Sequence, residues 1–76
     1  MIKNIDKLKT MIRTAGITQH ELATALKVGQ PTVSRWMNGT RQLPLNKFFV
    51  IIDLIASKTG VEQIAILKDF VGLENA

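Results

Sequence analysis

Gln30, Ser34 and Arg35 are the residues of this chain whose types and spacing point to chemistry. Gln30 and Ser34 are four apart and Arg35 follows, so a helix places all three on one outer face. A glutamine amide bonds bidentately to adenine, a guanidinium does the same to guanine, and a short hydroxyl donates or accepts at close approach. The implied chemistry is the reading of base edges in the major groove of double-stranded DNA, which admits one α-helix. Thr32 lies off that line and suits a phosphate contact. Arg41 and Lys47 suit contacts to the nucleic-acid backbone, with plain surface charge as the alternative, and Thr40 is a weaker candidate. Each reader has a blander reading too: Gln30 and Ser34 as ordinary solvated helix residues, Arg35 as the partner of an acid elsewhere.

Two short helices must position these side chains, and the run Gln19 to Asn38, QHELATALKVGQPTVSRWMN, has the pattern for them. Leu22 and Leu26 form an i, i+4 pair, and Val33 and Trp36 an i, i+3 pair, so each helix has an inward face. Lys27-Val28-Gly29 leaves room only for a tight turn between them. Ala23 is small and lets the helices approach closely. Thr18-Gln19-His20-Glu21 is a capping box, in which the Thr hydroxyl takes a backbone N–H and Glu21 reaches back. Pro31 falls in the first turn of the second helix, where its missing N–H costs nothing. Trp36 is tempting as a stacking platform for single-stranded nucleic acid, but its phase with Val33 turns it inward. His20 has no carboxylate or thiol cluster near it and is expected to be exposed, with no metal or catalytic role.

These residues resemble the helix-turn-helix of lambda-repressor-like, Cro-type regulators of phage and bacteria. The likeness runs through Gln19, Glu21-Leu22-Ala23, Val28, Gln30, Val33, Ser34-Arg35-Trp36 and Asn38-Gly39; the Ser-Arg-Trp triplet is also similar to lysogeny activators of the lambda type. The resemblance implies an all-α, five-helix domain covering residues 1–76, with the motif at about 18–38. It implies that Gln30, Pro31, Ser34 and Arg35 face base edges, that Gln19 contacts phosphate and braces Gln30, and that Asn38 contacts phosphate. The departure is Lys27, where the family has a glycine in the left-handed conformation. Either Lys27 adopts those dihedrals at a cost of about 1 kcal/mol, or Gly29 takes them up.

The charge has a location that fits a polyanion. Net charge is +4, and no acid stands between Glu21 and Asp53, an interval holding Lys27, Arg35, Arg41 and Lys47. The other six basic residues balance the six acids, so the whole excess lies on the motif and the loop after it. A clustered excess of this kind is an electrostatic footprint for a polyanion, with a solvated basic surface as the alternative, and on a helix-turn-helix pattern it favours DNA.

At 76 residues the chain is expected to be one domain. A chain this short buries only roughly 60% of its unfolded surface. Yet 46% of its residues are hydrophobic, more than a small solvated monomer needs, which points to a subunit interface. With no cysteine there is no disulfide framework or thiolate metal site. The start MIKNIDKLKT alternates charged and apolar residues, so no signal peptide is expected. The apolar run Phe48 to Ile52 is too short to cross a bilayer. A bacterial cytoplasmic, nucleoid-associated protein without membrane contact is the expectation.

Further helices are expected at about 4–14, with Asn4 as N-cap, Ile5, Leu8 and Ile12 as the inner stripe and Gly16 as the stop, and at about 45–57 and 61–70. The helix at 45–57 is apolar nearly all round, so it must be covered on more than one side. It is either a central core helix or one that packs inward on one face and against a second subunit on the other. The second reading makes Phe48, Phe49, Ile52, Ile55, Ile66 and Phe70 the dimer contact.

There is no nucleophile–base pair, phosphate-cradling glycine loop or histidine–carboxylate metal spacing, so an enzyme is not expected, nor a cofactor, metal or small-molecule ligand. The sequence therefore favours a homodimeric, sequence-specific regulator of transcription on a palindromic operator, such as a phage or prophage Cro-like repressor or lysogeny regulator. The alternative is a helical protein-interaction module, or antitoxin-like protein, that uses the apolar surface of the last two helices to bind a partner.

Overall fold

A computed structural model describes residues 5–71 of the chain, and side-chain surroundings from residue 5 to residue 68. Five helices follow one another: α1 (Ile5–Thr14), α2 (Gln19–Leu26), α3 (Gln30–Met37), α4 (Leu45–Thr59) and α5 (Gln63–Val71). No strand occurs among the described residues. The expected N-cap Asn4 lies outside them.

The helix ends follow from local chemistry. Gly16, Gly39 and Gly60 all have positive φ and end α1, α3 and α4, positions where a side chain would be strained. Helix α4 runs two residues past the expected end at 57, because Gly60 supplies the stop and its amide still reaches Ala56 O at 2.8 Å. Thr59 Oγ1 donates to Ile55 O at 2.8 Å and accepts from the Val61 amide at 3.3 Å. That turn delays α5 to Gln63, two residues after the expected start.

At α2 the Thr18 hydroxyl accepts from the Glu21 amide at 3.1 Å, which is half of the expected capping box. The other half is replaced. The Glu21 carboxylate forms an ion pair with Lys58 near the end of α4 and ties the two helices together.

Lys27 settles the question of the turn. It adopts φ 60°, ψ 42°, the left-handed conformation, whereas Gly29 is extended at φ −77°. The Val28 amide bonds Ala23 O at 3.1 Å and the Lys27 amide bonds Thr24 O at 3.3 Å. This is a Schellman closure built on a lysine instead of a glycine. Gly29 then serves as the N-cap of α3 with no side-chain bond.

The buried residues form one cluster: Leu8 and Ile12 from α1, Leu22, Ala23 and Leu26 from α2, Val33, Trp36 and Met37 from α3, Phe48, Ile51, Ile52 and Ile55 from α4, and Ile66 from α5, closed by Ile17 and Leu43. Helix α2 packs on α3 and α4, α4 on α5, and α1 on α3. Leu22, Leu26, Val33, Ile51 and Ile52 have almost no accessible surface. Each such side chain stabilises the fold by about 1.5–3 kcal/mol. Trp36 is buried as expected, although its Nε1 has no hydrogen-bond partner among the described residues.

The expected dimer contact needs correction. Phe48, Ile52, Ile55 and Ile66 are buried inside this chain's own core and are closed to a second subunit. On α4, Phe48, Ile51, Ile52 and Ile55 have the i, i+3, i+4, i+7 spacing of an inward stripe, and Ile66 of α5 joins the same core. Of the expected set only Phe49 is exposed, at 48%; the side chain of Phe70 lies outside the described residues. Among the described residues, the large apolar side chains left on the surface are Leu45, Phe49 and Val50 on α4, Val61 before α5, and Ile64 on α5 at 63%.

The left-handed lysine has a measurable consequence. Lys27→Gly removes about 1–2 kcal/mol of backbone strain and adds about 0.5–1 kcal/mol of unfolded-state entropy to be lost. A net gain of up to about 1 kcal/mol is expected, seen in thermal unfolding as a midpoint several degrees higher. Lys27→Ala, which keeps the Cβ, is expected to give no gain.

Candidate nucleic-acid interface

Helix α3 turns Val33, Trp36 and Met37 into the core and leaves Gln30, Pro31 and Arg35 exposed and Ser34 half-buried. The four expected base readers therefore lie on the surface of one helix. Two of them are held by neighbours. Gln30 Nε2 lies 3.4 Å from His20 Nδ1, and Asn38 Nδ2 donates to Ser34 Oγ at 3.4 Å. An amide nitrogen offers only hydrogens, so Nδ1 of the ring is the acceptor in the first pair. Gln30 is thus met by His20, the neighbour of the Gln19 for which the resemblance implied a brace. Nothing in the sequence pattern singled out that histidine, because its one partner is ten residues away and is met only across the α2–α3 turn.

Gln19 lies elsewhere. With Asn38 it lines a cleft of about 260 Å³ between α1, the start of α2 and the end of α3. Lys9 and Arg13 line the same cleft, along with Ile12, Ile17, Leu22 and Met37. The structure thus brings together two of the expected phosphate contacts and adds two cations that sequence reasoning passed over. The missed signal was their i, i+4 spacing beside the Leu8–Ile12 stripe. Gln19 and His20 also occupy the first turn of α2, where backbone N–H groups lack intrahelical partners and the helix dipole favours an anion.

The remaining expected contacts divide. Arg41 is exposed in the loop after α3, and its amide bonds Arg35 O at 3.1 Å, which folds that loop back over the end of the helix. Thr32 is half-buried on α3 and Thr40 is exposed. Lys47 is half-buried, and its ammonium donates to Leu26 O at 3.0 Å. It caps the last carbonyls of α2, where a cation also meets the negative end of the helix dipole.

The described residues contain two ion pairs, Lys9–Asp6 at 4.0 Å and Lys58–Glu21. Neither involves Lys27, Arg35 or Arg41. The pairing of Arg35 with a distant acid is therefore not realised among these residues, and the positive charge of α3 and its following loop is not neutralised by them. No group of three or more His, Cys, Asp or Glu able to hold a metal occurs among the described residues, and no helix there is long and apolar enough to cross a membrane.

With this geometry in view, a comparison with known families is informative: a helix-turn-helix family model matches residues 8–61, from α1 through the start of the α4–α5 connection. The chain belongs to the lambda-repressor/Cro-like family of helix-turn-helix DNA-binding transcription regulators. No curated protein matches it significantly.

Lys47→Met keeps the aliphatic stem and deletes the ammonium that caps α2. Stability is expected to fall by about 1 kcal/mol, the usual worth of one such bond, with base preference unchanged. Chemical denaturation and a DNA titration on the same sample check both halves.

Proposed function

We propose that the protein regulates transcription by binding a roughly palindromic operator as a homodimer, with α3 in the major groove. The observation that carries this reading is the surface of α3: Gln30, Ser34 and Arg35 face outward over a buried Val33–Trp36–Met37 side, with no acid paired to Arg35 among the described residues. Gln30 suits adenine, Arg35 suits guanine, and Pro31 and Ser34 approach the same base edges. Phosphates dock the domain from two sides. Gln19 and Asn38, helped by Lys9 and Arg13, take one strand at the cleft, and Thr32 and Arg41 take the backbone nearer the end of α3. Lys47 contributes charge but is committed first to α2. The regulated site is that of a phage or prophage, and the mode is that of a Cro-like repressor or lysogeny regulator, acting in the bacterial cytoplasm. Selection of bound sequences from a random DNA pool tests the whole reading: one enriched motif supports it, and recovery of unenriched sequences overturns it.

Pairing rests on the exposed apolar residues Leu45, Phe49, Val50, Val61 and Ile64. Leu45 and Phe49 are four apart on α4, and the next residue in that row, Asp53, accepts from Gln63 Nε2 at 2.6 Å, so the row runs toward the start of α5 beside Ile64. A second copy placed there buries an apolar surface that one chain leaves in water. Two-fold symmetry then requires inverted half-sites with centres about 34–36 Å apart, one turn of the duplex. Pairing also doubles the phosphate contacts, which steepens the dependence of affinity on salt.

Two outcomes follow for variants. Arg35→Ala is expected to weaken specific binding by about 1–3 kcal/mol and to relax preference at one base pair. Titrations against the operator and its single-base variants decide this, and unchanged affinity with unchanged preference removes Arg35 from the reading set. Phe49→Glu leaves the core intact and places a charge in the proposed interface. Sedimentation at micromolar concentration is expected to give a dimer for the natural chain and a monomer for the variant, with most operator affinity lost. A natural chain that stays monomeric on a single half-site contradicts the pairing.

A further inference from the structure

We propose that His20 is a specificity-determining positioning residue, one that fixes the orientation of the Gln30 carboxamide and so sets which base Gln30 reads. The inference rests on the DNA-reading role proposed for Gln30. His20 stands in the first turn of α2 and Gln30 opens α3, and the rigid turn at Lys27 brings the two exposed side chains together, with Gln30 Nε2 3.4 Å from His20 Nδ1.

A carboxamide carries an acceptor on one side and a donor on the other, and rotation by half a turn exchanges them. On adenine the oxygen must meet the N6 amino group and the nitrogen must meet N7. Nε2 has two hydrogens. One goes to the imidazole lone pair, and the second is left for N7, with Oε1 free for N6. With His20 in its Nε2–H tautomer, the flipped amide sets Oε1 against the lone pair of Nδ1 and an NH₂ group against the N6 amino group, so it is disfavoured at both ends. The histidine therefore selects the amide orientation that matches adenine before DNA arrives. It also removes a rotation that binding would otherwise have to freeze.

A merely structural role does not fit. His20 and Gln30 are both exposed, and the turn between their helices is closed by backbone groups and by Lys47, none of which needs the imidazole. Gln19 lines the cleft with Asn38 instead.

The test uses the full chain, its selected operator, and operators altered at each base pair. The base pair read by Gln30 is the one whose preference is lost in Gln30→Ala. His20→Ala is expected to lower discrimination at that pair by about five-fold or more, the low end for one bidentate contact. Discrimination at the pair read by Arg35, affinity for random-sequence DNA and the thermal midpoint are expected to stay unchanged. In the double variant, His20→Ala is expected to have no further effect beyond Gln30→Ala. Full discrimination in His20→Ala overturns the proposal, as does an equal loss at every base pair or an undiminished effect in the Gln30→Ala background. If the natural chain discriminates but Gln30→Ala changes nothing, the proposal falls and DNA reading stands. If the natural chain discriminates at no base pair, both fall together.

Discussion

The whole surface proposed to face DNA depends on how α2 ends. Its last carbonyls are met by the Lys27 and Val28 amides and by the ammonium of Lys47. A helix end left open next to the core would cost the desolvation of each carbonyl. Closing it with a left-handed residue reverses the chain in three positions and aims α3 outward. The two sides of that turn then hold each other: Ala23 and Leu26 before it, and Val33 and Trp36 after it, belong to the same buried cluster. The reading surface is thus the outer side of a packing solution. Gln30, Pro31 and Arg35, three of the proposed readers, stay exposed and outside the buried cluster that holds the helix in place.

Much of this was legible in the sequence, and the reasons are local. The stripes Leu22–Leu26 and Val33–Trp36, the glycines after α1, α3 and α4, and the threonine before α2 each act within a few residues of where they stand. Their effects can be read along the chain. The turn itself was legible as a turn, but the sequence alone could not decide whether Lys27 or Gly29 is left-handed. A glycine tolerates that conformation without requiring it, and tertiary packing made the choice.

What escaped notice acts across the fold. Glu21 satisfies the pattern of a capping box, yet its carboxylate goes to Lys58, far along the chain near the end of α4. His20 meets Gln30, and Lys47 meets Leu26, only once the helices have packed. Composition revealed a surplus of apolar residues but could not divide them between inside and outside. Phe48 and Phe49 are neighbours of one type, and one is core while the other is surface, because successive positions on a helix point in different directions. In the same way, Lys9 and Arg13 were hidden by their distance in sequence from the motif they flank.

One further property comes from the lone indole. The chain has one tryptophan and no tyrosine. That tryptophan is Trp36, buried on the underside of the helix that carries the reading residues. At wavelengths that phenylalanine does not absorb, the protein therefore has one intrinsic fluorophore, and it sits on α3 itself. Near-ultraviolet emission reports the docking of α3 against the core with no label and no second signal to subtract. Loss of that docking wets the indole and moves its emission to longer wavelength, even if the other helices persist. A spectroscopist thus watches the burial of α3 from a position within it.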